Sequence, residues 1–426
     1  RAEKVFVTGQ KGAGKTMTLA RVVQDPSITE HFAPVVVRAT RYIPVGAADI
    51  RLVLVTVIAQ VSQFIDAQNL TARVDLAGKT VGGISRVLNA WTKLFADKDT
   101  PAPPDTFQNA KTKVSSQIQE LSEEIVRDPE RRKQVLSDQR YNVAELHRVA
   151  SALIDFAQEA LAVRVDEPRF LLLVIDDLDK YVVPSEVQSI FKDGFEALRS
   201  LPCAAVFTYP YFLNFEESFV LHEESFAILN VKVAERTQVD PKLEPVLLPL
   251  DKRQLLQPAR EFFNALYGKL AERDLVADDV IDRAALLSAG IPREFLRLLS
   301  AGFELCLDFN KRRLDLAALD VARIRLQQTM GRTANEPWRQ AGLKLVQARG
   351  TIQGFSEMLD TVHVVEYVNR AVWYGVHPAM EELVAAWIRQ DRNLLIERGT
   401  DSALADRELE ALWLKAALTG RPKGDG

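Results

Sequence analysis

The sequence predicts an α/β fold built on a parallel sheet flanked by helices, and three observations predict it. Short runs rich in β-branched and apolar residues recur at 3–9 (EKVFVTG), 34–39 (PVVVRA), 170–175 (FLLLVI), 203–207 (CAAVF) and 226–231 (FAILNV). Stretches of helical periodicity separate them, and strands that alternate with helices pair in parallel through helical crossovers. The run FLLLVI has no polar residue in any alternate position, which suits a strand covered on both faces.

The elements follow in order. The run at 3–9 ends in glycine, and a helix is expected over about 15–24, closed by Asp25-Pro26. Pro34 leads the second strand. From about 49 to 165 the pattern is mostly helical, interrupted by Gly78, by Gly82-Gly83 and by Pro101, Pro103 and Pro104. Within it, 111–142 is rich in Lys, Arg, Glu and Gln and reads as an exposed helical hairpin. A helix over roughly 185–200 separates the third and fourth strands. Beyond 250 the strand signal fades: 252–272 and 278–326 read as helices, the first with Ala259, Phe262, Phe263, Leu266 and Leu270 on one face. VVEYV (364–368) and AVWYGV (371–376) read as two strands joined at Asn369-Arg370, with a helix over about 378–390 behind them. Helices around one hairpin resemble a winged helix.

Composition narrows the function classes. The 426 residues are 47% apolar and 26% charged with a net charge of −4, so nucleic acid is not held through net charge, although a local basic face stays open. Cys203 and Cys306 are far apart and outside any CxxC, which excludes a disulfide framework and a zinc site and fits a reducing cytoplasm. The most apolar stretch, 51–65, carries Arg51, Gln60, Ser62 and Gln63, so no membrane span is expected. The five histidines have no metal-ligand spacing. Residues 291–349 hold eleven Lys and Arg against six acidic residues, which reads as a nucleic-acid face, a docking face or, most commonly for such a pattern, an ordinary solvated helical surface. The chain opens at Arg1 rather than Met, so residues upstream are expected.

Gly9-Gln10-Lys11-Gly12-Ala13-Gly14-Lys15-Thr16 matches GxxxxGK[ST] between a strand and a helix, the context that defines a phosphate-binding P-loop. Glycines let the backbone curl so that successive N–H groups face a phosphate, and the helix that starts near Lys15 adds its positive end. Lys15 would reach the β- and γ-phosphate oxygens, the Thr16 hydroxyl would ligate Mg²⁺, and Met17 completes the first helical turn of the site. FLLLVIDDLD (170–179) delivers Asp176 to the carboxyl edge of the sheet, where one carboxylate can hold Mg²⁺, in part through water. Asp177 can orient or deprotonate an attacking water. Asp179 either joins this set or caps the following turn. Thr208, at the polar end of the 203–207 strand, either senses the γ-phosphate or satisfies the turn before Pro210. Arg293, in GIPRE (290–294), opens an amphipathic helix from which a forked donor array could meet phosphates.

These elements, in this order, resemble the AAA+ and STAND groups of P-loop ATPases. Within them the sequence is similar to bacterial origin-recognition-like and KAP-type ATPases, many of which serve anti-phage or other conflict systems. IDDLD looks like the DDLD of KAP proteins, GIPRE like the sensor-2 arginine of a helical lid, and VVEYVNRAVWYGVHP like the hairpin of a winged helix behind such a lid. The resemblance implies a core over 1–250 carrying the 49–165 insert, a lid over 251–337 and a winged-helix-like domain over 338–426. It further implies a slow, regulatory ATPase using ATP and Mg²⁺, cytoplasmic, self-associating or acting on a protein effector of a defence system. A DNA-binding loader or motor of the initiator type and a non-catalytic ATP-binding scaffold are its alternatives. Between residues 209 and 231 there is no arginine to serve as a finger to a neighbouring subunit; Arg199 and Arg236 lie outside that window.

Overall fold

The computed structural model describes residues 3–68, 70, 120–163 (less 122 and 126), 170–235 (less 217, 218, 220, 222 and 223), 250–268, 275–369 (less 350, 351, 353 and 354) and 371–419. Much of the 49–165 insert, the Pro101–Pro104 cluster and Arg236 therefore lie outside the described residues. The chain divides into two compact units, residues 1–8 with 15–227, and residues 9–14 with 228–426.

The first unit is an α/β layer structure. Strands β1 (Lys4–Thr8), β2 (Phe32–Arg38), β3 (Phe170–Asp176), β4 (Ala204–Thr208) and β5 (Glu224–Ala227) form one parallel sheet in the order β2-β3-β4-β1-β5. Residues 171–176 of β3 are all buried, as its unbroken apolar run requires. Pro34 sits inside β2, but β2 is an edge strand paired only with β3, so the missing N–H removes no bond from a second neighbour. Helix α1 (Lys15–Val22) opens directly after Gly14. Helix α2 (Ile50–Ala67) begins at Asp49, whose side chain accepts from the Arg51 N–H, and packs on α3 (Val143–Leu161) and on β2. By length and hydropathy α2 is the one helix among the described residues that matches a membrane span. Its Leu52, Leu54, Val57 and Val61 are fully buried, as in the core helix of a globular layer.

The helix expected over 185–200 is broken. A short α-helix at Pro184–Val187 passes into a π-helical turn at Gln188–Asp193, and an α-helical turn resumes at Phe195–Arg199. A Cβ at Gly194 would lie 2.4 Å from Ile50, so the close approach of α2 imposes glycine and the irregular turn with it. The run at 226–231 is a strand only to Ala227. Beyond it, the Val231 N–H donates to the Gly290 carbonyl at 2.9 Å.

The second unit is mainly helical: α4 (Gln257–Gly268), α5 (Asp278–Leu287), α6 (Pro292–Asp308), α7 (Leu316–Thr333), α8 (Pro337–Arg349), α9 (Glu381–Glu397) and α10 (Ser402–Thr419). The continuous helical pattern of 278–326 is cut twice by backbone in the left-handed region, at Ala289 (φ 55°) with Gly290 (φ 79°) and at Asn310 (φ 50°). A Cβ on Gly290 would meet the Val231 carbonyl oxygen at 1.8 Å, so this turn needs glycine. Strands β6 (Val364–Asn369) and β7 (Ala371–Val376) form the expected antiparallel hairpin, with Tyr367 stacked on Trp373 at 4.2 Å. The hairpin lies between α8 and α9 in sequence, and α8 packs on β7, α9 and α10, an arrangement of the winged-helix kind. Asp391 ties this group together, accepting from Lys344 at 2.6 Å and from the Trp413 indole at 2.7 Å.

Phe6, at the centre of the sheet and fully buried, packs on Phe195 at 5.0 Å and Phe207 at 5.3 Å. Phe6→Ala is expected to cost about 3–5 kcal/mol in urea unfolding monitored on the first unit. Phe226→Ala, on an edge strand and 55% exposed, should stay within about 0.5 kcal/mol.

Candidate functional site

A parallel sheet puts the carboxyl ends of its strands on one edge, where loops gather. Here β3 ends in Asp176 and β4 in Thr208, and β4 lies between β1 and β3. The acidic turn after β3 and the start of α1 form one polar cluster in the first unit. Lys15, 7% exposed, places its Nζ 2.9 Å from Oδ2 of Asp179. The Thr16 hydroxyl donates to Asp176, which also accepts the Asp177 N–H at 2.8 Å. Asp177 accepts from the Thr40 hydroxyl at 2.6 Å and pairs with Lys180 at 2.5 Å. Carboxylate oxygens of Asp176, Asp177 and Asp179 lie within 4.8 Å of one another.

Asp177 adopts φ 72°. Aspartate enters the left-handed region more readily than glutamate or β-branched residues, because its short side chain is satisfied locally. The turn therefore accounts for aspartate as the second acid of IDDLD. Thr208 is fully buried, and its Oγ1 accepts the Leu178 N–H at 3.0 Å. Its hydroxyl thus pins the acidic turn to β4. Of the two roles open to Asp179, the structure places it in the ion pair with Lys15. Burial pushes the Asp176 carboxyl above its ordinary value, the neighbouring Asp177 and Asp179 add to this, and the bonds from Thr16 and the Asp177 N–H only partly oppose it.

The loop Gly9–Gly14 belongs to the second unit. Gly9, Gly12 and Gly14 have φ of 143°, 96° and 104°, and the Ala13 N–H donates to the Gln10 carbonyl at 3.1 Å. Positive φ at three glycines gives this loop a backbone course open to few other residues. Arg293, at the start of α6, lies against the loop: a Cβ on Gly12 would meet its Nε at 3.1 Å. Glu294, 3% exposed, faces both Arg293 (3.6 Å) and Arg297 (3.2 Å). Lys11, Arg293, Glu294 and Arg297 line a cavity of about 310 Å³. Met17 is 69% exposed on α1.

The structure therefore gathers Lys15, Thr16, Asp176, Asp177 and Thr208 in the first unit, and the loop glycines with Arg293 in the second. Two participants escaped sequence reasoning. Thr40 stands two residues past the end of β2, so the rule that picked Thr208, a polar residue where a strand leaves the sheet, would have found it. Glu294, the acid of GIPRE, is buried at 3% exposure, and nothing in the sequence signals that. The basic stretch 291–349 is largely neutralised: Arg293, Arg297, Lys311, Arg323, Arg339, Lys344 and Arg349 each face a carboxylate.

The three aspartates and the Thr16 hydroxyl are a hard oxygen donor set, which fits Mg²⁺ and not a softer metal. No protein-family description matches the chain, and no curated protein matches it. Among solved structures, it is similar to Drosophila ORC bound to DNA (10% identity, 90% of this chain and 81% of that one, TM-score 0.35). It is also similar to the Aeropyrum pernix ORC1 protein in complex with DNA (12%, 91% and 87%, 0.36) and to Cdc6p from Pyrobaculum aerophilum (10%, 91% and 88%, 0.37). Likeness at these TM-scores shows no family, and the functional reading rests on the site's own geometry.

Because the folded protein holds Asp176 above 3.8, it binds more protons there than the unfolded chain does, and stability falls as pH rises through that window. Asp176→Asn should therefore raise the thermal unfolding midpoint of the nucleotide-free protein at neutral pH. The gain should shrink as pH is lowered towards 3.8.

Proposed function

We propose that this chain binds ATP with Mg²⁺ at Gly9–Met17 and hydrolyses it slowly, as a regulatory switch. One observation carries the reading: Lys15 and Asp176, 161 positions apart in the chain and predicted separately, converge on the same polar cluster through Asp179. A buried lysine beside three carboxylates, at the first turn of a helix that follows a glycine loop, suits a magnesium-bound polyphosphate and little else.

The chain's own residues divide the work. Backbone N–H groups of the loop hold the β-phosphate, and Lys15 exchanges Asp179 for phosphate oxygens. Thr16 and Asp176 would hold Mg²⁺, which neutralises phosphate charge when bound. Asp177, kept in place by Thr40 and Lys180, takes the proton from a water whose oxygen bonds to the γ-phosphorus, while the bond to the β,γ-bridging oxygen breaks and ADP leaves. Thr208 holds the turn that carries this base. Arg293, which lies against Gly12 within the second unit, offers a forked donor array to a phosphate held by that loop.

The output surface admits two readings. An effector of a conflict system follows from the resemblance of IDDLD and GIPRE alone. Contact with DNA, to which Drosophila ORC and the Aeropyrum pernix ORC1 protein are bound, is the other, and side chains support it. Arg312, Arg313, Arg325 and Arg332 are exposed, and among the described residues none of them faces a carboxylate. The hairpin β6–β7 adds a winged-helix-like element.

Titration calorimetry with magnesium-ATP tests the core of this reading. Lys15→Ala should weaken binding by roughly 10- to 150-fold, the loss of a charge-assisted contact of about 1.5–3 kcal/mol. Asp177→Asn should retain binding while hydrolysis, followed by phosphate release, falls about 10²–10⁴-fold. Wild-type protein that is folded and gives no heat would overturn the proposal.

A further inference from the structure

Gln10 is the second residue of the glycine loop, yet it is only 2% exposed. Its side chain is bound to the C-terminal hairpin of the same unit. Nε2 donates to the carbonyls of Leu359 (3.3 Å) and Val364 (2.8 Å). Oε1 accepts the Glu366 N–H at 3.2 Å and the Asn230 amide. A glutamine amide has two donor hydrogens and two acceptor lone pairs, and all four are used.

The two carbonyls that Gln10 bridges stand on either side of a turn with a backbone defect. Val362 has φ 64°. For a β-branched residue this conformation is a genuine outlier, held only where the surroundings over-determine it. Thr361 and Val362 also line the 310 Å³ cavity, together with Lys11, the residue after Gln10, and with Arg293 and Arg297. Consecutive loop residues thus meet the same turn: Gln10 clamps its ends, and Lys11 lines the same cavity as Thr361 and Val362.

We infer that Gln10 is a positioning residue that makes the glycine loop and the 359–364 turn one conformational unit, so that phosphate occupancy of the loop and the setting of hairpin β6–β7 are coupled. The inference rests on the nucleotide reading above. Any adjustment of the loop around a phosphate would fall on Gly9 and Gly12, whose backbone angles glycine leaves free to change. Gln10 cannot follow that change and keep four buried hydrogen bonds, and buried polar groups left unpaired are costly. The turn is the softer partner, because its strain is relieved when Val362 leaves φ 64°. Coupling of this kind is reciprocal: whatever resets the turn also changes affinity for nucleotide.

Amide hydrogen exchange across Val364–Val376, with and without magnesium-ATP at concentrations that saturate each protein, tests this. In the wild type nucleotide should change exchange there by about 5- to 150-fold, the usual span of coupling between sites. In Gln10→Leu that change should be lost. If Gln10→Leu does not fold, Gln10→Glu keeps the acceptor oxygen, removes both donated bonds and should lose the change in the same way. A purely structural glutamine would lower the unfolding midpoint and leave the nucleotide response intact, which would overturn the inference. So would a variant that folds and no longer binds nucleotide at all, since Gln10 would then be a phosphate contact only. Calorimetric heat from wild type without any exchange response refutes the coupling but not the nucleotide site; absence of heat refutes the site itself.

Discussion

Three carboxylates crowded within 4.8 Å of one another at the end of a buried strand must be compensated by cations or donors, because charge repulsion and desolvation reinforce each other in a low-dielectric setting. The rest of the first unit's polar edge follows from this constraint. Lys15 neutralises Asp179, Lys180 neutralises Asp177, and the hydroxyls of Thr16 and Thr40 donate to what remains. Asp176 has no lysine among its partners, and burial pushes its carboxyl above the ordinary value. A group left short of positive charge in the folded protein is where an incoming cation gains most.

The Lys15–Asp179 pair is nearly buried, so each partner would be costly alone. Under the proposed function, a polyphosphate that took Lys15 from Asp179 would leave a carboxylate whose charge Mg²⁺ could offset, so anion and cation would enter most favourably together. The same logic recurs in the second unit, where buried Glu294 holds Arg293 and Arg297 beside the loop. In both units an acidic side chain occupies the cationic group that a phosphate would claim.

The parallel sheet supplies the geometry. Strand order β2-β3-β4-β1-β5 sets β4 between the loop-bearing strand and the acidic strand, so the end of β4 is the natural brace for the acidic turn, and fully buried Thr208 provides it. Thr40 braces Asp177 from the far side, from the segment that follows β2. Asp177 in the left-handed region completes the turn. Glutamate at that position would have to hold the same backbone without the short side chain that makes it tolerable.

Much of this was legible in the chain before any tertiary information. Glycine spacing in GQKGAGKT, the unbroken apolar run FLLLVI, the acids behind it and the alternation of the 364–376 hairpin are patterns within windows of ten or fifteen residues. Backbone propensity and side-chain period act over that range. The tertiary structure decided what no window contains. Thr40 meets Asp177 across 137 positions and Gln10 meets Val364 across 354, and such pairings depend on which strands become neighbours and where the chain returns. The same distance effect broke the helices that periodicity alone would have continued: Ile50 crowds Gly194, and the Val231 carbonyl leaves room only for glycine at 290. Local pattern states what each segment prefers; close packing against distant segments determines where that preference has to yield.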